Sequence, residues 1–355
     1  MKWVRENLFS GIFSGLSTIL IVVLLWKILP PLIHWALLDA VWRPDSKACR
    51  AAHGACWGFI AEKYRFILFG TYPYEQHWRP AAATLLLISL WMISAFRPLW
   101  RWWLAIAWLA GLATIGILMW GGIFGLPSVE NERWGGLILT LLLATFGIAA
   151  AFPLSIALAL GRRSRLPAIQ ALCVAYIELI RGVPLISLLF MASVMLPLFL
   201  PTGLSIDKLL RAQIALILFA AAYLAEVVRG GLQSLPREQF EMADALGLDY
   251  LQKTFYVVLP QALRAALPPL VNTFIGLFKD TSLVVVIGLF DLLQTLKVSL
   301  NDPAWSGFGV EAYLFAALVY FVFCFAMARY SRRLELKTGG FSRPSFAPGS
   351  GSAPG

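Results

Sequence analysis

Long apolar runs separated by short polar breaks fill most of this chain. Most of them come near the about twenty residues that a helix needs to cross a hydrocarbon core. The pattern predicts about eight spans: Gly11 to Leu29, Ala81 to Phe96, Trp102 to Phe124, Gly136 to Gly161, Leu185 to Leu200, Ala212 to Val228, Leu267 to Leu289 and Glu311 to Ala328. Without water at membrane depth each segment must satisfy its own backbone, so these spans are expected to be helices. Barrel strands would be about ten residues long with strict alternation, and the chain lacks that pattern. Two proline sites modify the picture. Pro30 and Pro31 predict a kinked exit from the first span, with Leu32 to Val41 continuing at an angle. Arg181–Gly182–Val183–Pro184 predicts a short helix or elbow ahead of the fifth span.

The polar breaks are unequal. Residues 43–80 form the first substantial one, with Cys49, Cys56, His53, His77 and many aromatics. RPLWR (Arg97 to Arg101) and RRSR (Arg162 to Arg165) are short basic turns, and residues 201–210 form a loop. The longest polar break in the second half is REQFEMADALGLDYLQKTFYVVLPQALR, from Arg237 to Arg264. The N-terminal MKWVRENLFSG leads into an apolar run too long for a cleaved signal peptide, so it reads as the first span. The tail, 336–355, is rich in Gly, Ser and Pro and is expected to be disordered.

Composition sharpens the class. Among 355 residues 59% are hydrophobic and 14% charged, with a mean hydropathy of +0.76, which places the chain as an all-α polytopic membrane protein. The net charge of +10 could point to nucleic acid, but the bases sit at span ends. No cluster joins them to exposed aromatics in a soluble domain, so they read as a topology signal. Counted over the short loops, that signal predicts both termini and the 237–264 loop on the cytoplasmic side.

The 237–264 loop carries its own structural logic. Between Phe240 and Tyr250 only Gly247 opposes a helix, and Met242, Ala245 and Leu246 share one face. Gly247 permits a turn with φ > 0, or a close approach by another backbone. Pro260 is expected to stop or kink the second piece, Leu251 to Leu259. A helix, a turn and a second helix outside the bilayer make an element suited to being gripped by a partner.

These residues resemble a known family. Glu241, Ala243, Gly247, Leu259 and Pro260 match the EAA signature of permease subunits in bacterial ABC import systems. Met242 replaces the first alanine and Val257 an isoleucine, both keeping an apolar side chain. The flanks AYLAEVVRGG (Ala222 to Gly231) and LPQALRAALPPLVNTFIGLFKDTSLV (Leu259 to Val284) look like the polar amino-acid uptake branch. GACWGFIAEKYRFILFGTYPYEQHWRP (Gly54 to Pro80) looks like a subgroup described as general L-amino-acid permeases. The resemblance implies a five-helix permease core at 131–335, with a coupling loop at 230–265, behind a three-helix extension at 1–130. It implies that Phe240, Glu241, Met242, Ala243, Asp244, Ala245, Gly247, Leu259 and Pro260 dock a cytoplasmic ATPase. The partners implied are two ABC ATPase subunits, a homologous second permease subunit and a periplasmic amino-acid-binding protein, with no nucleic acid. ATP and Mg would reside on the ATPase, and this chain would bind no cofactor.

Other candidate chemistry is sparse. Lys279 and Asp280, with Thr281 and Ser282, fall inside the seventh span, where ionisable groups face a bundle interior or a wet cavity. Lining a solute path and forming a structural ion pair both remain open. Glu178 and Arg181 stand three apart and share a helical face, open to a pathway role or to gating at the elbow. Tyr223, Glu226 and Arg229 repeat that spacing, with Glu226 expected to pair locally and Arg229 to snorkel. Cys49 and Cys56 stand in a predicted periplasmic segment where a disulfide is permitted. His53 and His77 beside them fit no zinc spacing. No G-x-x-x-x-G-K-[ST] or H-E-x-x-H occurs, and the three histidines all precede residue 80, so the chain reads as a transport subunit and no enzyme. An ion-coupled secondary transporter, or less favourably a membrane-embedded enzyme, stands as the alternative. The first should show inverted repeats, and the second an acid–base set at membrane depth.

Overall fold

A computed structural model describes residue 4 and residues 7–199, 201 and 206–337. The expected disordered tail beyond Lys337 lies outside them, as do residues 202–205 of the 201–210 loop. The chain divides into two compact units, Met1–Ile67 with Leu296–Ala317, and Leu68–Thr295 with Leu318–Gly355.

In the first unit, α1 (Ile12–Ile33) passes through Pro30 and Pro31 without a break and continues as a π-helical turn, His34–Leu38. The chain therefore stays helical past both prolines, and in the π-helical turn the Asp39 N–H donates to the His34 carbonyl five residues back, at 2.8 Å. No α1 side chain is buried within the chain, which suits a helix surrounded by hydrocarbon. The segment that follows is cross-linked. Asp45 caps α2 (Ser46–Ala51) by accepting from the Lys47 and Ala48 amides. Cys49 and Cys56 are joined by a disulfide. From α3 (Trp57–Phe69), Lys63 meets Asp302 at 2.6 Å, and from α2 Arg50 donates to the carbonyls of Pro303 and Ala304. The Lys63 ammonium, aided by the Ala304 amide, holds the Asp302 carboxyl below its usual range.

The second unit contains α4 (Trp78–Ser94), α5 (Trp102–Trp120), α6 (Gly136–Gly161), α7 (Pro167–Gly182), α8 (Leu185–Phe190) and α9 (Lys208–Gln233). After these come α10 (Arg237–Ala245), α11 (Leu259–Ala265) and α12 (Leu267–Asp280). Two later helices, α13 (Leu292–Ser299) and α14 (Gly309–Lys337), run through both stretches of sequence. Among the described residues seven helices are long and apolar enough to cross a membrane. The count is eight if Pro167–Gly182 and Leu185–Leu198, bent by 102°, are one broken span. That bend falls at the expected elbow, where Pro184 lacks a donor and the residue before it is driven out of helical geometry.

Boundaries differ from expectation where backbone chemistry intervenes. The third span stops at Trp120, short of Phe124, because Gly121 and Gly122 turn to φ +69° and +79°. The sixth extends to Lys208–Gln233, started by the Asp207 carboxylate accepting from the Leu209 and Leu210 amides. A two-residue strand, Phe290–Asp291, pairs with Gly135 and Gly136.

The core centres on α6 and α9. The alanines of α9, including Ala212, Ala215, Ala221, Ala222 and Ala225, are buried and let the two backbones approach closely. A second cluster gathers Leu87, Ile115, Met119, Trp134 and Ile138. Beside it Arg79 is fully buried, although the sequence reading leaves it among the polar residues of the 43–80 segment. Its guanidinium donates to Leu118 O at 2.5 Å, to Pro127 O at 2.9 Å and to Gln76, and lies over the Tyr72 ring. Burial pushes the Tyr72 phenol up to about 12. Replacing Arg79 with Ala strands the Pro127 carbonyl and leaves Leu118 O with only the Tyr72 hydroxyl, at 3.2 Å. The expected cost is about 3 kcal/mol, read as a lowered melting midpoint of the detergent-solubilised protein.

Candidate functional site

The 237–264 loop folds as a helix, a turn and a second helical piece. Pro236 precedes α10, and Glu238 stands in its first turn, where a carboxylate suits the helix dipole. The helix ends in a Schellman motif: the Leu248 amide donates to Ala243 O at 3.2 Å and the Gly247 amide to Asp244 O at 3.0 Å. Gly247 takes φ +71°, and a Cβ there would meet nothing within 4 Å. Of the two uses open to this glycine, the structure realises the turn. Asp249 then starts the next helical piece with a capping box closed by Gln252.

Pro260 does not end that piece. Tyr250–Gln252 passes into a π-helical turn, Lys253–Val258, and on into α11, with Pro260 in the first turn of α11. The wider register absorbs the missing amide, which corrects the expected stop.

Packing assigns each face of the loop. Ala243 is buried at 2% exposure and Leu259 is buried too, so both face this chain. Met242, Ala245 and Leu246 are exposed, with Leu246 at 79%, and the exposed face continues through Tyr250, Leu251, Phe255 and Tyr256. Asp244 pairs with Lys253, and Gln261 bonds Gln239 at 3.1 Å, so the two helical pieces are tied together. Phe240 lies beneath the Arg163 guanidinium at 5.6 Å, and Arg163 also reaches Leu232 O at 3.4 Å. Arg163, Leu232, Gln233, Leu235, Arg237, Phe240 and Glu241 line an open groove here. Gly231 holds this end together, because a Cβ on it would collide with the Ala262 carbonyl.

A charge cluster lies at the ends of α6, α7 and α9. Glu226 pairs with Arg229 in its own helix, with Arg162 at 3.4 Å and with Arg181 at 3.9 Å. Arg162 also pairs with Glu178 at 3.0 Å, and Arg181 stacks over Tyr223 at 5.5 Å. Glu178 and Arg181 therefore find separate partners on other helices instead of each other. Glu226 finds the local partner expected for it in Arg229, whose Nε donates to Glu226 Oε1 at 2.9 Å. The i, i+3 rhythm of Tyr223, Glu226 and Arg229 was visible in sequence, but the part played by Arg162 and Arg163 was not.

Lys279 and Asp280 end α12, and Thr281 opens a 3-10 stretch, Thr281–Ile287. Lys279 is exposed, Asp280 and Ser282 are half-buried, and Thr281 is buried with its hydroxyl donating to Phe278 O at 2.8 Å. Among the described residues no ion pair ties Lys279 or Asp280 to another helix or to Glu178 and Arg181.

Comparison with known proteins adds to this geometry. Residues 151–339 match the model of the family described as binding-protein-dependent transport system inner membrane component. The inner membrane amino-acid ABC transporter permease protein YhdY of Escherichia coli (strain K12) is 49% identical over 351 residues, covering 94% of this chain and 92% of the relative. The glutamate/glutamine/aspartate/asparagine transport system permease protein BztC of Rhodobacter capsulatus is 39% identical, covering 95% and 93%. A solved structure described as an amino acid ABC transporter with histidines aligns at a TM-score of 0.51 and 31% identity, covering 57% of this chain and 92% of its own.

Proposed function

The chain belongs to the family of inner-membrane components of binding-protein-dependent transport systems, and on that footing we propose that it is the permease subunit of an ATP-driven importer of L-amino acids. It is a transport subunit, and ATP hydrolysis falls to separate chains. The observation that carries the coupling mechanism is the apolar face of Met242, Ala245 and Leu246, exposed on a helix whose other face is anchored by Ala243. An apolar patch on a short capped helix, next to the open groove at Glu241, fits a soluble partner. In this reading two ABC ATPase subunits carry ATP and Mg, and their closure moves the loop without any covalent link. A two-fold ATPase engages two such loops, so a homologous second permease chain completes the pair. A periplasmic amino-acid-binding protein delivers the solute. Both termini and the 237–264 loop lie in the cytoplasm. Residues 131–335 form the permease core, and residues 1–130 an added three-span extension. The Cys49–Cys56 disulfide fits a periplasmic setting for 43–80.

Lys279, Asp280 and Ser282, with Thr281 behind them, border the solute path. An exposed Lys279 in a span-length segment faces water or another protein chain, since hydrocarbon would cost about 3 kcal/mol. An amino acid offers both charges to such a pair. The test is co-purification of the whole complex in proteoliposomes, with ATPase activity measured across a panel of amino acids and their binding protein. Stimulation by amino acids is expected. Uptake driven by an ion gradient without ATP would overturn the reading.

A further inference from the structure

Glu226 holds the inner ends of three helices at one point, and the proposed docking helix touches that point through adjacent residues. Phe240 of α10 packs under Arg163, and the neighbouring Arg162 pairs with both Glu226 and Glu178. Arg181, the second of Glu226's partners from another helix, stands in the last turn of α7, just before the 102° bend into α8. Three arginines surround two glutamates here, and the Glu226 side chain is only 22% exposed. Removing its charge leaves Arg162, Arg181 and Arg229 facing one another without a counter-ion, apart from the Arg162–Glu178 pair.

We infer that Glu226 is a positioning residue for transport: it clamps α6, α7 and α9 so that a displacement of α10, passed through Arg163 and Arg162, moves the elbow at Val183–Pro184. Without it the loop would move against helices that no longer follow. Glu178 and Arg181 then act as parts of this joint, outside the solute contact. This inference rests on the reading of the 237–264 loop as the ATPase dock.

The experiment measures solute transported per ATP hydrolysed by the full reconstituted complex. E226Q is expected to lower that ratio about tenfold while the ATPase subunits still co-purify. E226D, which keeps the charge, should restore most of it. R162Q should lower the ratio as well, and the R162Q/E226Q double variant should be no worse than the more severe single one, as for two ends of one link. A merely structural role would reduce yield and leave the ratio alone. An unchanged ratio in an assembled E226Q complex, or fully additive effects, overturns the inference. Should E226Q fail to assemble, R162Q and R181Q carry the same measurement. An unchanged ratio in E226Q beside a sensitive loop variant removes only the joint. A loop variant that still binds and couples normally removes the dock as well.

Discussion

Gly247→Arg leaves the protein inserted in the membrane and lowers amino-acid uptake by about tenfold or more, with ATP turnover no longer matched to it. Two separate effects combine at this position. Gly247 adopts φ +71° in the turn that closes α10, and any other residue there costs about 1–2 kcal/mol. That cost acts on the Schellman turn that fixes α10 against the piece beginning at Asp249. The substituent itself enters open space in this chain, so it clashes with nothing here and projects toward whatever docks on the loop. Gly247→Ala separates the two effects, adding the backbone cost with almost no bulk, and should fall between wild type and Arg. Uptake of labelled amino acid and phosphate release in the same vesicles provide the readout. Wild-type uptake by the Arg variant would sink the proposed role of the loop.

Lys279→Met and Asp280→Asn are expected to raise the KM for amino acid by about 10- to 100-fold, the worth of one hydrogen bond to a charged group. Both substitutions nearly preserve volume, and among the described residues neither has an ion-pair partner on another helix to lose, so folding should be spared. Effects on substrates of opposite side-chain charge distinguish the two residues. Losing the lysine should penalise acidic amino acids most, and losing the aspartate basic ones. If neither KM moves while ATPase stimulation stays normal, the solute path lies elsewhere.

The groups in these two tests differ in how visible they were beforehand. Gly247 was legible because a left-handed turn after a helix is a local requirement, met by a residue type and its spacing. Lys279 and Asp280 stood out because ionisable groups are rare in apolar runs. Glu226 as a hub was not legible. Its contacts to Arg162 and Arg181 cross from α9 to α6 and α7, and sequence spacing says nothing about which charges on different helices meet. Arg79 is a similar case, since a buried arginine held by backbone carbonyls looks in sequence like any span-end base. Pro260 misled in the other direction. It carries the usual signal for a stop, but the π-helical turn Lys253–Val258 just before it keeps the chain helical.

Spans and the helix–turn–helix of the loop could be read from the order of residues alone, because hydrophobic length and φ preferences act within a few neighbours. Folding in three dimensions decided the rest: which face of α10 is free, where the broken span bends, and which arginines share Glu226. Those outcomes depend on side chains brought together from helices far apart along the chain, where packing and the cost of an unpaired charge choose the partners.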